Sequence, residues 1–381
     1  MLQKFIYLVF FQSLLIVSFI VKAADTETVN LTAYEFIQAY STKDNVAMRE
    51  LFNMQTFTRR VADSAGFNKG LRKQYLNLFN DEAQSVKLVG NMFVAVDPTT
   101  FVDIAHVRNT DYQNKSNLPV IRTLYNDDSM EYYLIDVSDK GKINDIFMLS
   151  RGAWLSVTVG RSTAIMLGQT EGLFDKIVQK LTLDKSPVEY YQPVIDAFAK
   201  RDFEAAYNAI QSLPESLRNL QPMLELSVFT SMNLNNELYM QALTDLYKAH
   251  GDKPELAFLF MDYHFLNNDL PAVVESLDAS MKVTGIDAEL SSLKGNMFIM
   301  QEKFEEAEKS FNEGIEAEPD YIETYWGLVT VYNSTKRYAE LAELLLFLND
   351  KFDTQISGET LIENEFYQDF VQSPAFINNF L

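Results

Sequence analysis

The chain has no cysteine at all. That excludes disulfides, thiolate metal sites, a cysteine nucleophile and a lipid-modified N-terminal cysteine. Histidine is scarce: His106, His250 and His264 are the only three, and no two stand at metal-ligand spacing. Basic residues are few, 32 Lys and Arg against 53 Asp and Glu, for a formal net charge of -21 at pH 7. So acidic a surface repels phosphate backbones and anionic lipid head groups, so nucleic-acid binding is not expected. No HExxH, GxSxG, Walker or GxGxxG string occurs. No metal or cofactor is expected either. Beyond the N-terminus, no run is long and apolar enough to span a bilayer.

What is present begins with a three-part leader. Lys4 precedes the apolar run Phe5 to Ile20, and Val21-Lys22-Ala23-Ala24 offers small residues for cleavage before the acidic start Asp25-Thr26-Glu27. This is the plan of a secretory signal peptide over residues 1–24. An uncleaved membrane anchor is the competing reading, but the run is shorter than the ~20 residues a comfortable crossing needs. One basic residue before the run and no cysteine suit a Gram-negative periplasm, so a periplasmic or secreted location is expected. Asn30, Asn114 and Asn333 each begin a glycosylation triplet, a string frequent by chance.

Charge divides the remainder. Asp25 to Lys185 carries 18 basic and 20 acidic residues, net -2, whereas Ser186 to Leu381 carries 12 and 33, net -21. Such an excess keeps an extended helical surface soluble and would also attract basic protein partners.

The acidic half contains a 34-residue unit, AELSSLKGNMFIMQEKFEEAEKSFNEGIEAEPDY, from Ala288 to Tyr321. Counting Ala288 as position 1, Gly295, Phe298, Ala307, Phe311, Gly314 and Pro319 fall at positions 8, 11, 20, 24, 27 and 32. This resembles the tetratricopeptide repeat (TPR), whose signature places small residues, aromatics and proline there. Gly295 and Ala307 are expected to meet where two helices cross, with Pro319 closing the second helix. Steps of 34 residues give further units from Pro254, Leu220 and Ile322, with an earliest one near Pro187. The expectation is about five helix pairs over 186–357, with residues 358–381 as a helical cap.

In TPR stacks the concave face is lined by first-helix positions 2, 5, 9, 12 and 13. The resemblance therefore implies a partner-binding groove containing Tyr191, Phe198, Leu224, Phe258, Asp262, Phe265, Asn296, Ile299, Trp326 and Asn333. It is aromatic and aliphatic, and lacks the basic clamp that acidic C-terminal tails require. The alternative is that Tyr191, Phe258 and Phe265 pack on neighbouring helices and close the groove.

Residues 25–183 change period. Leu31 to Phe79 is helical in pattern; after Asp81 come alternating runs, SVKLVGNMFVAV, FVDIAHVRNT, NLPVIRTLY, SMEYYLIDV and KINDIFML. The last three are separated by Asn126-Asp127-Asp128 and Asp139-Lys140-Gly141, which suit hairpins. Helices followed by an antiparallel meander make an α+β domain, and the order is similar to the cystatin-like or nuclear-transport-factor-two-like class. A helix is expected over Ser162 to Leu181, then a junction at 182–187. His106, flanked by Asp103 and Arg108, is a candidate acid/base; Arg59, Arg60, Arg122 and Arg151 are candidate anion ligands; Trp154 reads as core.

The expected protein is thus a non-enzymatic interaction scaffold for a protein or peptide, with self-association open. A small-molecule-binding or enzymatic N-terminal domain, with repeats for oligomerisation, is the alternative.

Overall fold

The computed structural model describes residues 25–93, 101–126, 129–166 and 187–381. The expected leader, most of the helix expected over 162–181 and nearly all of the junction after it lie outside these residues.

Five short helices come first: α1 (Thr26–Ser41), α2 (Asn45–Leu51), α3 (Met54–Ser64), α4 (Lys69–Leu78) and α5 (Glu82–Met92). Asp25, Asp44, Asn53, Asn68 and Asp81 precede them, and each side chain accepts a first-turn N–H. Those caps satisfy donors that no helix can satisfy internally. Helix α5 corrects the strand expected from SVKLVGNMFVAV. Asp81 supplies a cap, and the buried positions Ser85 and Val89 are four residues apart. Over so short a run both periods fit, and the cap decides.

Next in the chain is a meander, β1 (Phe101–Tyr112), β2 (Lys115–Tyr125), β3 (Met130–Val137), β4 (Ile143–Met148) and β5 (Ala153–Trp154), antiparallel and in sequential order. Gln113 and Asn114, both at positive φ (48° and 60°), make the first turn. One face of the sheet carries Ile121, Tyr133, Ile135 and Ile146 into a core with Phe36, Phe57 and Val61 from the helices. Helix α6 (Leu155–Met166) begins seven residues earlier than expected and packs on α3.

The remainder is all helical, a TPR-like solenoid. Its pairs are α7 (Pro187–Ala199) with α8 (Phe203–Gln211), then, after the single-turn α9 (Glu215–Arg218), α10 (Gln221–Met232) with α11 (Asn236–His250). Next come α12 (Ala257–Leu266) with α13 (Leu270–Thr284), α14 (Ala288–Met300) with α15 (Phe304–Ala317), and α16 (Ile322–Ser334) with α17 (Tyr338–Phe352). The turns inside four of the five pairs repeat atom for atom, the exception being that between α10 and α11, where Asn235 N–H bonds back to Ser231 instead. The N–H groups of Asp202, Asp269, Lys303 and Arg337 bond back to the carbonyls of Ala197, His264, Phe298 and Tyr332 at 2.9–3.0 Å. The residue before each donor, Arg201, Asn268, Glu302 or Lys336, takes a left-handed φ of 55–58°. This is the six-to-one helix ending. The side chains of Asn233, Asn267, Gln301 and Thr335 also close their helices, each bonding the carbonyl four residues back.

One contact differs from expectation. The atoms nearest a side chain placed at Gly295 belong to the Phe311 ring, at 2.5 Å, and not to Ala307. The crossing is close because a whole aromatic ring lies against bare backbone. At the far end α18 (Gly358–Glu363), the 3-10 turn Phe370–Gln372 and α19 (Pro374–Phe380) bury Leu361, Phe370 and Phe376 against Tyr325, Leu341 and Leu345.

Candidate interaction surfaces

The second face of the sheet is not solvated. Leu118 and Val120 of β2, Tyr132 and Leu134 of β3 and Phe147 of β4 form one cluster with Phe258, Leu277 and Leu290 of the repeats. Register explains it: Val120 pairs with Leu134 and Arg122 with Tyr132, so all four point the same way. Tyr132 meets Phe258 edge to face, centroids 6.0 Å apart. At Gly152 (φ 56°) a side-chain carbon would lie 2.1 Å from the Glu255 carbonyl oxygen, so only glycine admits this approach.

At the centre is Arg122, 2% exposed. Its Nη1 donates to Asp287 Oδ2 (3.1 Å) and Glu318 Oε1 (3.1 Å); Nη2 lies 3.1 Å from Glu318 Oε2 and 3.7 Å from Asp103. Its guanidinium lies 4.7 Å from the Tyr321 ring centroid. Asp287, wholly buried, also accepts from the Tyr132 hydroxyl (2.6 Å) and from Leu290 N–H (3.1 Å), capping α14. Glu318 accepts from Ala288 N–H as well. Burial alone would favour a neutral guanidine, but Asp287, Tyr132 and Glu318 hold the pKa above its ordinary value. This polar core ties the sheet to the edge where one repeat passes into the next.

The ten groove positions named from the sequence do not share one surface. Tyr191, Leu224 and Phe258 are buried. Phe198 stacks on Phe229, and Ile299 packs near Phe311. Asp262 accepts a hydrogen bond from the Tyr239 hydroxyl. Trp326 packs against the cap cluster, and Asn333 donates to the Phe366 carbonyl at 2.6 Å. Asn296 and Phe265, the latter 47% exposed, face solvent.

Position 13, which contributes none of those ten residues, stays open in three consecutive pairs. Met232, Leu266 and Met300 end the first helices of three consecutive pairs, 34 residues apart, and are 52%, 42% and 53% exposed. A signal existed in the sequence: one register position stays apolar where a helix end would be polar. These ends lie at the opposite edge from the sheet, about 20 Å along a 13-residue helix.

The other candidates disperse. His106 Nε2 is 2.7 Å from Asn109 Oδ1, with its ring against Tyr34. Arg60 pairs with Asp136 and Asp145, Arg122 belongs to the seam, Arg151 lies near the buried carboxyls Glu131 and Glu225, and Arg59 is exposed, so the four arginines form no common anion site. Trp154 is half-buried, its indole donating to Gln113. A cavity of about 140 Å³ lies between α1, α2, α5 and the turn from α7 to α8, lined by Tyr40, Met48, Phe93 and Arg201 among others, and shares no lining residue with the seam. No group of three metal-ligating side chains occurs among the described residues, and no described helix is long and apolar enough to cross a membrane.

Buried carboxyls set a pH dependence. Burial raises Glu131, Asp145, Glu225, Asp262 and Glu289 above the usual range, against opposing hydrogen bonds. For Asp136 burial is outweighed by Lys115 and Arg60, which hold it low. A raised carboxyl binds its proton more tightly when folded, so its stabilisation is present at low pH and lost as pH rises through the folded pKa. Asp136 has the opposite sign, its contribution lost as pH falls through its depressed pKa. Burial also lowers His250 and His264, which therefore weaken the fold as pH falls, so five groups oppose three, and acid also relieves the net negative charge. The urea midpoint is therefore expected to rise between pH 7.5 and about pH 5. A midpoint that falls over that interval would contradict the balance.

No family model matches the chain, and no curated protein matches it. Among solved structures it is similar to one titled as the crystal structure of MamA protein, at 15% identity and TM-score 0.36, over 44% of this chain and 94% of that one. It is also similar to MamA 41-end from Desulfovibrio magneticus RS-1, at 14% identity and TM-score 0.36, over 44% and 96%. At that score the likeness carries no argument about function.

Proposed function

We propose that this protein is a non-enzymatic interaction scaffold, periplasmic or secreted, which binds another protein through the free edge of its repeats. The observation that carries the reading is the row Met232, Leu266 and Met300, exposed apolar side chains repeated at one register position. Single exposed apolar residues are ordinary, but a row in register is a surface, and it costs solubility unless it is covered. The sheet occupies the opposite edge, so one half of the molecule holds the repeats while leaving this row accessible. A ligand pocket within the sheet finds less support, because helices fill one face and repeats the other.

Site-specific photocrosslinking in cells tests it. A benzophenone amino acid at Leu266 should yield a discrete adduct with another protein, whereas one at Leu78, equally exposed on α4, should not. Adducts at neither position, or the same adducts at both, would refute the reading.

A further inference from the structure

Resting on that scaffold reading, the chemistry around the row describes what the partner must present. Phe265 stands beside Leu266, and Asn267 Nδ2 lies 3.9 Å from Met240 Sδ, which joins α11 to the end of α12 at this edge. Two of the three residues of the row are methionines, with Met240 beside them. Unbranched, polarizable thioethers adapt to varied apolar shapes, a property of binding surfaces more than of cores. The second helices begin here, and their first turns place Glu237, Asp269 and Glu305 in solvent, with Glu302 in the turn between α14 and α15. Lys303, the basic residue among them, is held by Gln301. At the next turn Lys336 and Arg337 are engaged by Asp369, Glu308 and Glu340. An apolar stripe with an acidic border is the complement of an apolar stripe with a basic border.

We infer that this edge receives a cationic amphipathic helix from another protein. Packed helices lie about 8–10 Å apart, and an apolar side chain on every second turn of a helix advances about 10 Å, so the two rows can run alongside each other. Lysines or arginines flanking the stripe would then meet carboxylates on either side, which sets orientation and speeds encounter.

Calorimetric titration of the full chain with model peptides tests this. The probes are a Leu/Lys peptide of about 18 residues patterned as an amphipathic helix, a scrambled peptide of the same composition, and a patterned Leu/Glu peptide. The patterned Leu/Lys peptide should bind, more weakly as salt rises, and the other two should bind at least about tenfold more weakly. Leu266→Asp with Met300→Asp should cost it a further loss of about tenfold or more, and Ile377→Asp, an equally exposed site on the cap, should cost nothing. Should the aspartates disturb folding, Glu302→Lys with Glu305→Lys changes charge alone and should weaken binding alike. Equal binding of patterned and scrambled peptides, or of parent and both double variants, would overturn the inference as adhesion to an acidic surface. Failure of the Leu/Lys peptide alongside a persistent Leu266 adduct would remove the cationic-helix chemistry alone; absence of the adduct removes the scaffold reading beneath it.

Discussion

Arg122→Met is expected to lower the unfolding free energy by about 3–5 kcal/mol, the cost of breaking a buried ion pair from one side. The methionine fills similar volume, so the loss comes from charge. Asp287, with no exposed surface, would keep the Tyr132 hydroxyl and the Leu290 N–H but lose its cationic partner, the only one among the described residues. Glu318 would retain Arg108 at 3.3 Å and the Ala288 N–H. Arg122→Lys should recover part of the loss, because an ammonium cannot reach both carboxylates with the planar fork that guanidinium offers. Adding Asp287→Asn to Arg122→Met should also recover part, since the amide oxygen can still cap α14 while the uncompensated charge is gone. Urea unfolding of the four proteins decides it. A loss below about 1 kcal/mol for Arg122→Met would mean that the seam is wetter than its geometry indicates.

That seam also shows where sequence reading stops. The repeats were legible because their determinants are local: a glycine, an aromatic ring and a proline at fixed spacing, with turns that recur at Asn268, Glu302 and Lys336. The meander was legible from alternation and turn residues, apart from α5, whose short run fits two periods, and β5, which is two residues long. The burial of the second sheet face left a trace that alternation conceals. In β3, MEYYLIDV, Tyr132 and Leu134 are apolar on one parity and Tyr133 and Ile135 on the other, and all four are buried. A sheet with a solvated face would be polar on one parity. Arg122 breaks the apolar run and reads as a candidate anion ligand. Its partner Asp287 lies 165 positions away, and no local pattern connects them.

The proposed binding surface was legible in register but not in exposure. Positions 5 and 9 lie before the last turn of the helix, where a neighbour can cover them, as Tyr132 covers Phe258. Position 13 ends the helix, and the chain turns away beyond it. Whether a register position is covered depends on what packs over it, and that is decided by the sheet and the cap, outside the repeat.

Phe311→Ala is expected to cost about 3–5 kcal/mol, the range for emptying an aromatic site in a packed core. The ring is fully buried and lies against two glycines from different repeats. A side-chain carbon at Gly295 would come within 2.5 Å of it and one at Gly327 within 2.1 Å. The two glycines thus form a slot filled by the ring, and this slot couples α14 and α15 to α16. Repeat arrays are stabilised by such nearest-neighbour interfaces, so emptying one should weaken the helices on its C-terminal side more than those on its N-terminal side. Amide exchange should accelerate over 322–381, which holds the last pair and the cap, while the sheet core at Tyr133 and Ile135 keeps its protection. Gly327→Ala approaches the same contact from the other side and should cost about 1–3 kcal/mol, since a wholly buried ring has little room to retreat. Combining Gly327→Ala with Phe311→Leu should then cost less than the sum of the two, because the smaller side chain vacates the space that the new methyl needs. Strict additivity, or exchange that accelerates equally in both halves, would show that the ring does not couple these repeats.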